Sequence, residues 1–235
     1  MIKFNGFAKS DFDVFIKKDW NEINAINSKL ENMIKLLYKR YPDLNKTLPN
    51  KIIGKPQINT QEIDYVGAFL WKLGEKHYSV PHYTMGLTLN WFGIHVCFEA
   101  KDISRKFIKT LKNNENKRAE FLDILEMKEA RGFIIEINKR DFIMPGNRKN
   151  RYNPVAYIWL DKEWIDEDIV KFIYKQMDKI NNLLPREFQT KKAHFYLHKH
   201  IYRDDPILTK TEFIDEVYKV IQTLRPMYDF LLKIA

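Results

Sequence analysis

Three histidines crowd one short stretch of the chain: His194, His198 and His200. If residues 193–201 form a strand, side chains alternate between faces, so the three rings share a face with Tyr196. The other face then shows Ala193, Phe195, Leu197 and Ile201, a core pattern. Imidazoles two apart on a strand can ligate zinc. His198 and His200 would lie about 7 Å apart along it and converge only with a third ligand nearby. The competing reading is a solvated face of polar rings, because no Cys-x-x-Cys or His-Glu-x-x-His spacing accompanies them. A pH-responsive surface is a further use of such rings.

A second constellation is Glu99-Ala100-Lys101, with Asp64 on or just before an earlier strand. Glu-x-Lys beside an upstream acid is the pattern of PD-(D/E)xK-like nucleases. There the carboxylates hold Mg²⁺ and the lysine assists the attacking water. The bland alternative is a helix that starts at Lys101 and a solvated strand end at Glu99. A third is the span 138–152, which gathers Lys139, Arg140, Arg148, Lys149 and Arg151 with Phe142 and Tyr152 between them and a Pro145-Gly146 turn. Cations that meet phosphates beside rings that stack on bases are the parts of a nucleic-acid surface. The same residues would serve as a solvated basic loop. A fourth is the aromatic region around His82, Tyr83 and Trp91, which could line a pocket for a planar ligand or a flipped base, or belong to the core.

The absences narrow the field. The chain has no Gly-x-Gly-x-x-Gly, no phosphate-binding Gly-Lys-Ser/Thr loop and no Gly-x-Ser-x-Gly elbow. Its single cysteine, Cys97, excludes an internal disulfide and sits among apolar residues, which reads as an inert buried thiol. The first ten residues show no apolar leader, and no run approaches the roughly 20 apolar residues that span a bilayer. A cytoplasmic location is expected. Lys plus Arg is 40 against 31 acidic residues, a formal charge of +9. That balance suits a polyanionic partner and equally suits a lysine-rich coding bias.

The elements that would carry these residues follow from periodicity. With 45% apolar and 14% aromatic residues, the 235-residue chain can bury the core of one large domain. Ser10 and Asp13 read as a capping box for a short first helix. Ile23, Ile26, Leu30, Met33, Ile34 and Leu37 recur at helical spacing up to Pro42. Residues 42–60 read as irregular. Strands are expected at 65–71, 80–89, 93–100, 132–137, 155–160 and 193–201, with 155–160 apolar on both faces and therefore central. Helices are expected from Lys101 to Leu125 with a break at 113–116, over 165–184, and after a Thr209/Glu212 capping box. Pro226 should kink or end the last one. The sum is an α+β fold, a mostly antiparallel sheet covered by helices.

Three segments also resemble the YktB family of bacterial proteins. They are Gly6-Phe7-Ala8-Lys9-Ser10-Asp11-Phe12-Asp13-Val14-Phe15, Tyr78-Ser79-Val80-Pro81-His82-Tyr83-Thr84-Met85-Gly86-Leu87, and Lys192 to Leu208 with Leu224-Arg225-Pro226-Met227-Tyr228. They occur in family order and span nearly the whole chain. Where the family carries a basic His-Ala-Arg-Arg-like stretch before the middle segment, Lys51 to Pro56 stands here. The resemblance implies an α+β fold with a central antiparallel sheet and no established activity.

The sequence reading is therefore a binding domain without catalysis or cofactor, directed at DNA, RNA or another polyanion through Lys139, Arg140, Arg148, Lys149, Arg151 and Tyr152. A Mg²⁺-dependent nuclease using Asp64, Glu99 and Lys101 is the enzymatic alternative, and a protein-interaction module the third.

Overall fold

The computed structural model describes residues 4–17, 19–53, 58–59, 62–63, 65–72, 76, 79–143, 151–160, 165–182 and 189–235. In chain order the elements are α1 (Lys9–Lys17), α2 (Trp20–Arg40), α3 (Asp43–Thr47), β1 (Asn50–Ile53), β2 (Ile58–Asn59), β3 (Glu62–Ile63), β4 (Val66–Trp71), β5 (His82–Leu87), β6 (Trp91–Phe98), α4 (Lys101–Asn113), α5 (Glu115–Glu126), β7 (Ile134–Ile143), β8 (Arg151–Trp159), α6 (Glu167–Asn181), β9 (Gln189–Tyr202) and α7 (Phe213–Ile234). Seven strands form one sheet in the order β1-β4-β5-β6-β9-β7-β8, while β2 and β3 pair separately. The β1–β4, β4–β5, β7–β8 and β7–β9 pairs are antiparallel. The architecture is α+β, as the periodicity predicts. None of the described helices is long and apolar enough to cross a membrane.

The described residues divide into two compact units: Met1–Gly74, Tyr83–His95 and Lys199–Gln222; and Glu75–His82, Val96–His198 and Thr223–Ala235. In the first unit, Ile23, Leu30, Met33 and Leu37 of α2 are fully or almost fully buried, which satisfies the 3.6-residue stripe of that helix, and α2 packs on β4. Asp19 caps α2 by accepting from the Asn21 amide at 2.8 Å. Phe92 of β6 stacks on Phe7 at 5.5 Å and meets Phe213 of α7 edge-on at 5.0 Å. In the second unit, Phe98 of β6 and Phe195 of β9 pack with Phe107 of α4, and Phe195 also lies 6.1 Å from Phe121 of α5. These contacts fix the parity of the two strands. Even-numbered residues of β6 and odd-numbered residues of β9 face helices, and the opposite parity faces the other side of the sheet.

Several expectations are corrected. Helix α1 starts at Lys9, two residues ahead of the start that a Ser10 cap implies, and Asp11 accepts from the Ala8 amide at 2.8 Å. Residues 42–60 hold α3, β1 and β2, because Asp43 begins a helical turn directly after Pro42 and Ile52 and Ile53 pair with β4. Thr209 ends a 3-10 turn, with its hydroxyl on the Pro206 carbonyl, and α7 begins only at Phe213. Helix α7 runs through Pro226, since the buried ring of Tyr228 and the buried Leu224, Met227 and Leu231 hold both halves on the core. Strand β8 is the last strand in the sheet order, with Val155, Tyr157 and Trp159 exposed on one side. Its apolar run is an aromatic edge, not a buried centre. Pro154 lies within β8, where the register with β7 shifts at Ile137/Asn138.

Candidate functional site

The sheet face turned away from Phe92, Phe98 and Phe195 is where the chemistry collects. On β9 it presents His194, Tyr196, His198 and His200, and on β6 it presents Trp91, Gly93, His95, Cys97 and, just past the strand, Glu99. A solvated face was the simple expectation for these histidines. Instead His82, His194 and His198 are 0% exposed and His95 is 9% exposed. Alternation reveals that a strand has two faces; it does not reveal that both are buried.

In the first unit, the indole of Trp91 stacks on the His200 ring at 3.9 Å and 10°. His95 sits 5.8 Å from Trp91, 6.2 Å from His200 and 6.5 Å from Tyr65, all centroid to centroid. Burial alone pushes the His200 imidazolium down to about 4, so at neutral pH this ring is the neutral base. The floor beneath the rings is glycine. A Cβ on Gly67 would strike the Tyr65 ring, and one on Gly93 would lie 2.5 Å from Trp91 Cζ3 and closer still to His95 Nε2. A Cβ on Gly86, which pairs with Gly67, would meet the Val66 carbonyl and lie 2.5 Å from the Gly67 Cα. The three bare positions are what let flat rings lie against the strands.

In the second unit, Glu136 on β7 faces the same side between two neighbours. Its Oε2 lies 3.4 Å from His198 Nε2, and its Oε1 accepts from the Tyr157 hydroxyl at 3.3 Å. Asn138, two residues along and 5% exposed, hydrogen-bonds the same carboxylate. Burial raises the Glu136 carboxyl above its usual range, against the opposing effect of these donors. Tyr157, partly desolvated beside that carboxylate, is pushed up to about 12. Further along the strand, His194 Nδ1 is 3.3 Å from the Tyr196 hydroxyl, which donates to Glu99 Oε1 at 3.5 Å. His82 Nδ1 lies 2.9 Å from the Val80 carbonyl, which fixes the proton there and turns Nε2 toward the Cys97 thiol at 3.3 Å.

Among the described residues, His95, His198 and His200 form a group in which each offers one ligand atom and all lie within 4.8 Å of one another. Zinc–imidazole bonds of about 2.0–2.1 Å put tetrahedral nitrogens roughly 3.4 Å apart, somewhat closer than the limit of this group. Three imidazoles with no thiolate suit zinc and its transition-metal neighbours and not Mg²⁺ or Ca²⁺. Of the expected set, His198 and His200 enter the group. His194 lies beside Tyr196, and His95 stands as the third member.

The other sequence-derived residues separate. Lys101 is the first residue of α4 and Glu99 receives Tyr196, so the two do not share a strand face. Asp64 lies outside the described residues. His82 and Tyr83 are successive strand residues and point oppositely; Tyr83 is fully buried and its hydroxyl donates to the Ile221 carbonyl at 3.4 Å. Trp91 belongs with His200. Lys139 and Arg140 lie on β7, Arg151 and Tyr152 on β8, and Arg148 and Lys149 fall outside the described residues. The residues that sequence reasoning missed left two signals. Glu136 is a charge between isoleucines in Ile134-Ile135-Glu136-Ile137, and Gly67, Gly86 and Gly93 interrupt strands that have no turn there. No family model and no curated protein matches the chain, so the resemblance to YktB proteins rests on the quoted motifs.

Proposed function

We propose that this chain is a metal-dependent hydrolytic enzyme whose centre is the histidine group on the second face of the sheet. The observation that carries the reading is the convergence of His95, His198 and His200, two of them buried, within 4.8 Å. Three imidazoles that converge on one point offer a divalent cation three nitrogen ligands at once. Catalytic zinc sites keep three protein ligands and one open position, where the ion lowers the pKa of bound water to about 7 and polarises a carbonyl or phosphoryl oxygen. Trp91 and Tyr65 border the group with flat apolar surface, as small-molecule sites do.

Metal content by mass spectrometry and competition with a chromogenic chelator for Zn²⁺ and Co²⁺ test the reading. One equivalent is expected, lost in His95→Ala and His198→Ala, with hydrolysis of nitrophenyl esters or phosphates restored to the stripped protein by metal. Absence of stoichiometric binding, or equal binding in both variants, overturns it. Contact with a polyanion is a second reading, supported by the formal charge of +9 and the basic span between β7 and β8. Salt-dependent anisotropy with labelled DNA and RNA tests it.

A further inference from the structure

We infer that the groove between α4 and α6 is a docking site for the phosphate backbone of a nucleic-acid duplex, taken without regard to base sequence. The inference rests on the polyanion reading above and moves its contact to a face which that reading does not use.

Along α4, Lys101, Arg105, Lys109 and Lys112 follow one another at helical contact spacing and so line one side of the helix. Ile103, Phe107, Ile108 and Leu111 are buried on the side turned to the core. Arg105, Lys109 and Lys112 are exposed and form one wall of a groove of about 280 Å³. Asp178, Asn181 and Asn182 of α6 form the other wall. Asn181 is held at both ends of its amide: Nδ2 donates to the Ser104 hydroxyl of α4 at 2.9 Å, and Oδ1 accepts from the Ala193 amide of β9 at 3.1 Å. The two helices are therefore pinned together beside the groove, which sets its width before any partner arrives. The acid on the lining is Asp178, whose carboxylate already takes the Asn182 amide at 2.9 Å. Three cations against one carboxylate leave the groove positive.

Helix stability does not account for the stripe. Arg105 and Lys109, and again Lys109 and Lys112, are like charges one turn apart, which repel. Lys101 opens the helix, at the end where the macrodipole favours acids. Other helices pair their lysines with an acid one turn away, as Lys35 pairs with Glu31 and Lys219 with Glu216. Among the described residues Lys109 and Lys112 take part in no ion pair, and Arg105 reaches Asp102 only at 3.8 Å, with both side chains mostly exposed.

The stripe spans about 17 Å, the rise of about five nucleotides along one strand of a duplex. Lysine, arginine and asparagine are side chains that hold phosphate and sugar oxygens. Among the described residues no aromatic ring lines the groove, whereas single-strand sites carry aromatic platforms for unstacked bases. A duplex keeps its bases stacked inside and turns its phosphates outward, so contact through charge alone is blind to sequence.

The test is fluorescence anisotropy of the full chain with labelled DNA duplexes of two unrelated sequences and a single strand of one of them, each across a salt series. The groove variant is Lys109→Gln with Lys112→Gln. Its charge-matched control is Lys35→Gln with Lys219→Gln, and Arg148→Glu with Arg151→Glu tests the basic span. The wild type is expected to bind both duplexes alike and more tightly than the single strand, with affinity falling as salt rises. The groove variant is expected to bind about tenfold more weakly at low salt, with a salt slope shallower by about 2, and the control to stay near the wild type. An unaltered slope in the groove variant, an equal loss in the control, or a preference for the single strand overturns the inference. If duplex binding survives in the groove variant and is lost only on reversing Arg148 and Arg151, the groove fails while the polyanion reading stands. If the wild type binds no nucleic acid at low salt, both fail.

Discussion

Gly93→Ala separates the fold from the site, and the geometry states by how much. The added Cβ would lie 2.5 Å from Trp91 Cζ3 and closer to His95 Nε2. Ordinary carbon contacts lie near 3.5 Å, so the indole must retreat by about 1 Å and the imidazole by slightly more. Both obstacles are the ends of side chains, and the strand backbone has nothing in its way. The variant is expected to fold, with a loss of about 1–3 kcal/mol from the displaced rings. The site is less forgiving, since a constellation about 1 Å out of place no longer converges. Co²⁺ affinity is expected to drop at least tenfold, equal to about 1.4 kcal/mol. Gly86→Ala is the control in the opposite sense. Its Cβ would strike the Val66 carbonyl and the Gly67 Cα, both backbone, so the sheet itself must open. Circular dichroism and thermal melts report the fold, and Co²⁺ absorption reports the site. A folded Gly93→Ala that binds Co²⁺ within twofold of the wild type refutes the idea that this glycine seats His95. A Gly86→Ala protein as stable as Gly93→Ala refutes the distinction between the two clashes.

Other outcomes follow from the same contacts. Phe195→Ala removes a fully buried ring between Phe98, Phe107 and Phe121 and should cost about 3–5 kcal/mol in urea melts, whereas Phe195→Leu should cost far less. Asp215 is held below the usual carboxylate range by hydrogen bonds from Tyr41 and Arg40, so it stabilises the fold above its unfolded pKa and loses that contribution as pH falls through its folded value. Asp215→Asn should therefore melt earlier than the wild type at neutral pH, and the gap should close in acid; a gap that persists there contradicts the linkage. Reversing Arg148 and Arg151 to Glu should flatten the salt dependence of DNA or RNA binding if the basic span contacts phosphates, and leave Co²⁺ binding unaltered.

The framework of the fold was legible because its signals are local. Strand β9 announces itself through Phe195 and Leu197 alternating with His194, Tyr196 and His198, and α6 through Val170, Ile173, Met177 and Ile180. What stayed hidden was non-local. Nothing in Val155 to Leu160 says that β8 sits at a sheet edge, because edge position depends on strand order. The break before α5 was readable, and its cause is Asn114, whose side chain accepts from the Lys117 amide at 3.0 Å. The candidate site was half legible. His198 and His200 share a strand and so share a face by arithmetic, whereas His95 and Glu136 lie about 100 and 60 residues away in sequence, and only sheet order brings such positions together. Glycine was the overlooked clue, since a residue without a side chain draws notice only when its neighbours are known.

The proline and the shifted register of β8 bear on how the molecule behaves in a crowded solution. A terminal strand with exposed Tyr157 and Trp159 would be an inviting template for a strand from another molecule. Pro154 offers no amide proton at mid-strand, and the bulge beside it disturbs the straight ladder that an incoming strand needs. Protection against intermolecular sheet growth is thereby written into the same strand that carries Tyr157 to Glu136. Restoring a β-branched residue at 154 would trade that protection for a smoother edge, with turbidity on storage as its visible sign.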